Sequence, residues 1–199
     1  MNALAAAAAA VGAFAVGSIP FGYVIGRIFY RTDIRASGSG NIGAMNALRT
    51  LGKTGAIAVL VLDAAKGFLP VFLLLVAHRP ELAVIAATAA VLGHCFSPWL
   101  GWKGGKGVAT SFGAIFALSW KVGLLAVAGW LLGALATTYS SVGSMLGNAV
   151  APFAFYFLIR NLPFTAYGIF AALLIAYTHR ENIGRIRAGT ESGISFLRR

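Results

Sequence analysis

The sequence predicts an all-α fold, a polytopic membrane helix bundle of about seven transmembrane helices, two of them short. Three observations carry this. Of the 199 residues, 59% are hydrophobic and only 11% are charged, where soluble domains carry about a quarter charged residues. Mean hydropathy is +0.82. Apolar runs lie at 3–26, 54–77, 82–98, 108–118, 122–136, 142–159 and 164–178, most of them ending at Gly, Pro or charged residues. We expect one integral membrane domain over 1–199.

The first run lacks a positive n-region and is long for a signal h-region, so it reads as a retained span. Its polyalanine at 5–10 suits close helix packing. The runs at 54–77 and 82–98 are full-length candidates. Those flanking Ser119-Trp120-Lys121 are short. Eleven helical residues rise about 17 Å, well under a ~30 Å hydrocarbon core. Charge decides between a hairpin and one long span there. Arg27, Arg31, Arg35, Arg49 and Lys53 follow the first run, Lys103 and Lys106 the third, and Arg180, Arg185, Arg187, Arg198 and Arg199 the last; Arg79, Lys121 and Arg160 lie opposite. The positive-inside rule puts the basic loops and C-terminus in the cytoplasm and the N-terminus outside. A single span over 108–136 would strand the arginine-rich tail outside, so the hairpin is expected, with 137–141 back on the cytoplasmic side.

The formal charge of +11 does not indicate nucleic acid. The cations are spread over short loops, without an aromatic-interleaved surface to track a backbone. Anionic lipid headgroups and phosphorylated substrates fit better. Cys95 is the one cysteine, which rules out an intramolecular disulfide.

Lys103-Gly104-Gly105-Lys106-Gly107 opens directly into a hydrophobic helix. Glycines let successive N–H groups turn toward one point, and the helix N-terminus and two ammonium groups strengthen the field, so the loop suits a phosphate. An earlier loop, Ser37-Gly38-Ser39-Gly40-Asn41-Ile42-Gly43-Ala44-Met45-Asn46, formally matches the dinucleotide fingerprint, but it follows a membrane helix and not a strand, so the match is accidental. A P-loop ending at Gly52-Lys53-Thr54 fails because Ala47 stands at the first glycine position. Ser39, Asn41, Asn46 and Arg49 still offer donors to hydroxyls or phosphate. The bland alternative is an ordinary turn.

Asp63 and Lys66, at i,i+3 inside the second run, face the same way; they either wall a cavity or neutralise each other. His94 beside Cys95 suggests a base and nucleophile, but adjacent helical residues point about 100° apart. Cys95 therefore reads as a small apolar side chain, while His94 either positions substrate or binds a carbonyl. In His179-Arg180-Glu181-Asn182, His179 and Asn182 share a helical face and can grip a phosphorylated polyol. Arg185, Arg187, Arg198 and Arg199 read as snorkelling cations. Ser140, Ser141 and Ser144 either cap a helix or touch phosphate.

Three motifs in this order (Gly-Ser-Gly-Asn-Ile-Gly-Ala-x-Asn, then Gly-His-x-Phe-x-Pro with Lys-Gly-Gly-Lys-Gly-Val-Ala-Thr, then His-Arg-Glu-Asn-Ile) resemble the PlsY family of bacterial acyl-phosphate:glycerol-3-phosphate acyltransferases. The resemblance covers essentially the whole chain. Met45 departs from it, standing where a hydroxyl-bearing residue is common, and carries no role here. The resemblance implies transfer of a fatty acyl group from acyl-phosphate to the 1-hydroxyl of sn-glycerol 3-phosphate, giving lysophosphatidic acid and phosphate, in the bacterial inner membrane with the active-site loops cytoplasmic. No cofactor or metal is implied. No His-x-x-x-x-Asp pair exists, since Ala83, Trp99 and Gly184 stand five residues after the histidines.

On this reading Lys103, Lys106 and the Gly104, Gly105 and Gly107 backbone face the acyl-phosphate, with Ser140 and Ser141 in support and His94 as a positioner. Arg49, His179 and Asn182 hold glycerol 3-phosphate, Ser39 and Asn41 line the reaction centre, and Asn46 adds a donor. Lys106, Ser39, Asn41 and His179 are the catalytic candidates. A small transporter of phosphorylated metabolites remains the alternative, though no internal repeat is evident.

Overall fold

A computed structural model describes residues 2–194. The expected snorkelling residues Arg198 and Arg199 lie outside them. The described residues form ten α-helices: α1 (Ala3–Ser18), α2 (Phe21–Phe29), α3 (Ala44–Thr50), α4 (Gly52–Val76), α5 (Pro80–Cys95), α6 (Val108–Leu118), α7 (Trp120–Thr137), α8 (Ser140–Ala154), α9 (Leu162–Thr178) and α10 (Arg180–Arg187). Five segments are long and apolar enough to cross a membrane, and a sixth if α9 and α10, bent by 54°, count together; α6 is shorter. The seven apolar runs are thus all helical, while full spanning length belongs to five or six.

The first run differs from expectation. It breaks at Ile19-Pro20 into α1 and α2, because proline supplies no N–H to continue the ladder. The carbonyls freed at the break find side chains from elsewhere: Ser97 Oγ donates to the Ser18 carbonyl at 2.7 Å and Lys66 Nζ to the Ile19 carbonyl at 2.7 Å.

The hairpin at 108–136 is present, with α6 ending and α7 starting at Ser119. The far end of α7 returns to the basic loops, where the Ile194 N–H bonds the Thr138 carbonyl at 2.8 Å. The 137–141 turn therefore shares an end with the C-terminal segment.

Small residues let the helices meet backbone to backbone. Where α4 meets α6, a Cβ on Gly67 would lie 2.0 Å from the Thr110 carbonyl oxygen, and one on Gly113 would lie 2.0 Å from that of Ala64. Inside, Ser111 Oγ donates to Asn148 Oδ1 at 2.7 Å. Large apolar side chains such as Leu4, Ile57, Leu73, Leu132, Phe157 and Leu173 point outward, the distribution of a protein whose solvent is lipid.

Candidate active site

After α5, the turn through Gly101 and Trp102, both left-handed (φ 63° and 65°), sends the chain back along the helix it has just left. The Gly104 N–H bonds the Cys95 carbonyl and the Gly105 N–H the His94 carbonyl, each at 3.0 Å. No side chain fits at either glycine: a Cβ on Gly104 would meet the His94 carbonyl oxygen at 2.0 Å, and one on Gly105 would meet His94 Nε2 at 2.1 Å. This corrects the expectation that the Gly104 and Gly105 N–H groups face an anion. They are spent on α5. The donors left are the unpaired N–H groups in the first turn of α6, which Gly107 starts from a left-handed φ of 86°. Cys95, buried with its Sγ toward Gly107, packs as an apolar side chain.

Lys106 is half-buried, and its ammonium donates to Asn182 Oδ1. Burial, then the charge of Arg185, pulls it down to about 8. Asn182 Nδ2 continues the chain to Glu191 Oε1 at 2.6 Å, where Ser141 Oγ also donates at 2.9 Å. Arg185 Nε donates to Glu191 Oε2 at 2.7 Å. Burial alone would raise the Glu191 carboxyl, but hydrogen bonds from Asn182, Arg185 and Ser141 hold it below the usual carboxylate range. Arg49 closes the group, donating from Nη2 to the Ser192 carbonyl at 3.3 Å, and its charge also reaches Lys106.

His179 is buried at the break between α9 and α10, its Nδ1 at 2.8 Å from the Ile175 carbonyl. That contact selects the tautomer with the proton on Nδ1 and leaves Nε2 an acceptor. Burial, then the Lys106 charge, lowers the imidazole to about 4, so it is neutral near pH 7.

The loop at 37–43 is organised differently. Buried Asn46 gathers it, with Nδ2 donating to the carbonyls of Ile34 (2.8 Å), Ser37 (3.1 Å) and Asn41 (2.8 Å) and Oδ1 accepting the Ser39 N–H at 2.8 Å. Its hydrogen-bonding capacity is used within the loop, which corrects the expectation that it binds substrate. Asn41 Oδ1 accepts the Gly43 N–H at 2.9 Å, and Ser39 is exposed.

Lys106, Asn182, Ser141, Arg49 and His179 are therefore brought together from four parts of the chain. His94 stands apart, buried beside Asp63, and Lys103 is exposed. Ser140 contributes its carbonyl to the Ser144 hydroxyl at 2.8 Å. Arg185, expected to snorkel, turns in to Glu191. Glu191 itself was missed from the sequence, although it is one of only five acidic residues and sits in a basic tail. Among the described residues no group of His, Cys, Asp or Glu is placed to hold a metal ion.

The profile of the glycerol-3-phosphate acyltransferase family matches residues 7–189. The chain belongs to that family. It is 44% identical to a glycerol-3-phosphate acyltransferase from Synechococcus sp. (strain JA-3-3Ab), over 96% of this chain and 94% of that one. It is 45% identical to the protein of the same name from Dinoroseobacter shibae, over 95% and 93%. Among solved structures it is similar to the crystal structure of PlsY (YgiH), an integral membrane glycerol 3-phosphate acyltransferase, in its glycerol 3-phosphate form. The TM-score is 0.91 and identity 36%, over 95% of each chain. The lysophosphatidic acid form of that protein gives a TM-score of 0.88 at 34% identity, again over 95% of each.

Proposed function

We propose that this chain transfers a fatty acyl group from acyl-phosphate to the 1-hydroxyl of sn-glycerol 3-phosphate, releasing lysophosphatidic acid and inorganic phosphate. The observation that carries the reading is the cluster of Lys106, Arg49 and Arg185 beside the first turn of α6, at one end of a lipid-facing bundle. Two anionic substrates and an acyl tail need such a place. Family membership favours this enzyme over the transporter reading.

The hydroxyl oxygen attacks the acyl carbonyl carbon, a C–O bond forms, and the bond from that carbon to the phosphate oxygen breaks. The mixed anhydride has a good leaving group, so the protein's part is to position two anions and stabilise developing oxyanion charge. Lys106 and the α6 N–H groups hold the donor phosphate, with Ser141 and Ser140 beside them and Lys103 at the exposed rim. Arg49 and Asn182 hold glycerol 3-phosphate, and His179 Nε2 accepts from one of its hydroxyls. Ser39 and Asn41 line the reaction centre. Gly104, Gly105 and Gly107 shape the loop, and Asn46 does the same for 37–43. The attacking hydroxyl's proton passes to a phosphate oxygen of the donor, because a neutral imidazole near 4 is a weak base at pH 7.

The site faces the cytoplasm across a bacterial inner membrane, as the positive-inside rule requires of its basic loops. Cysteine probes at Ser37 and Arg187 in a Cys95→Ala background should escape impermeant reagents in intact cells, while one at Arg79 should label. For the reaction, purified protein supplied with acyl-phosphate and glycerol 3-phosphate should yield lysophosphatidic acid and phosphate in equal amounts. Acyl-CoA should not serve; comparable turnover with it would overturn the donor assignment.

A further inference from the structure

The geometry points to Asp63, Lys66 and His94 as a positioning device that sets the glycine-rich loop against the loop at 37–43; this rests on the acyltransferase reading above. All three side chains are almost wholly inaccessible; Asp63 and Lys66 lie at the middle of α4, and His94 lies in the last turn of α5. Lys66 Nζ lies 2.8 Å from Asp63 Oδ1, and His94 Nδ1 lies 3.6 Å from the same oxygen.

Two of the members reach parts that carry the site, and Asp63 stands between those two. Lys66 donates to the Ile19 carbonyl, at the break that starts α2. Gly22 on α2 then seats the loop at 37–43 so closely that a Cβ there would meet the Ile42 carbonyl oxygen at 1.9 Å. His94 takes the Gly105 N–H on its carbonyl, and its ring edge at Nε2 packs against Gly105. One residue beyond Lys66, Gly67 lies against the Thr110 carbonyl in the first turn of α6. A single turn of α4 therefore touches the supports of both loops and the helix N-terminus between them.

Packing alone does not call for charges here. A buried ion pair replaced by apolar groups of similar volume is often neutral or more stable. What charges add is direction. The ammonium points at both Asp63 and Ile19, and the carboxylate stands 3.6 Å from His94 Nδ1, longer than a hydrogen bond, while Nε2 of the same ring abuts Gly105.

The test uses steric complementarity in the purified enzyme, assayed with acyl-phosphate and glycerol 3-phosphate. The three atoms nearest a Cβ on Gly105 all belong to the His94 ring, so Gly105→Ala should lower kcat/KM by about 100-fold in the wild type but only a few-fold in a His94→Ala background. Asp63→Asn with Lys66→Met removes both charges together and should lower kcat/KM about tenfold. Gly105→Ala should then cost less on that background than on the wild type, since the His94 ring is no longer held. Relief in the His94→Ala background follows from the contact itself, so the uncharged pair decides: an equal Gly105→Ala penalty there and in the wild type would overturn the inference. If that pair does not fold, Asp63→Leu with Lys66→Met takes its place and is read in the same way. Lack of turnover by folded wild-type protein would instead sink the acyltransferase reading.

Discussion

The loop at 37–43 and the loop at 103–107 are both rich in glycine, and they are built on opposite plans. The first is held by one side chain: Asn46 collects three carbonyls and one N–H from around it. The second is held by backbone, two N–H groups bonded to the end of α5 and glycines pressed against His94. A loop gathered by a side chain leaves its own polar side chains, Ser39 and Asn41, near the surface. The loop gathered by backbone has spent its amides and presents a lysine and a helix start. The first suits hydroxyl contacts and the second suits an anion.

The strongest way to break this contrast is to remove the lysine. Lys106→Ala should reduce kcat/KM by two or more orders of magnitude with folding in detergent preserved, since a charge-assisted contact is worth about 1.5–3 kcal/mol and more where a desolvated anion is stranded. Near-normal turnover would show that the α6 N–H groups suffice. Asn46→Ala attacks the other plan. It leaves buried carbonyls unpaired at a cost of about 1–3 kcal/mol, so it should lower the thermal midpoint and reduce kcat/KM roughly tenfold. If Asn46→Ala left stability unchanged and raised only the KM for glycerol 3-phosphate, Asn46 would be a substrate contact after all.

The two plans were unequally legible in the sequence. The apolar runs and the break at Ser119 could be read because lipid burial demands uniform apolar composition and a lysine-bearing turn interrupts it. The order and neighbourhood of Lys106, Arg49, His179 and Asn182 were also legible. What could not be read depends on tertiary partners. That the Gly104 and Gly105 amides pair with α5 requires knowing that the chain doubles back at Gly101. At the split of the first run at Pro20, the freed carbonyls are answered by Ser97 and Lys66, far along the chain. Glu191 was invisible for a similar reason, since no local pattern links it to Ser141, fifty residues earlier.

A smaller effect concerns pH. Lys106, lowered to about 8, is charged below that value and loses its proton as pH rises through it. If its ammonium holds the donor phosphate, kcat/KM should fall along an alkaline limb near pH 8, because that parameter reports the free enzyme. Lys106→Arg should retain measurable activity and lose this limb, since guanidinium stays protonated throughout. An unmoved limb would assign the titration to another group.

The smallest expected difference lies between two replacements of His179. With Nδ1 committed to the Ile175 carbonyl and the ring neutral near pH 7, its remaining role is to accept one hydrogen bond through Nε2. His179→Asn keeps an acceptor and should retain several-fold more activity than His179→Ala, mainly through the KM for glycerol 3-phosphate, because a lost neutral hydrogen bond is worth only about 0.5–1.5 kcal/mol. A general base would behave otherwise. Neither replacement could take the proton, both would abolish kcat alike, and the wild-type profile would lose activity as pH falls through the His179 value near 4. If both variants retain kcat and differ in KM, proton transfer to the donor phosphate is the reading left. The contrast between the loops then extends to the third motif, with Lys106 supplying charge and His179 supplying only orientation.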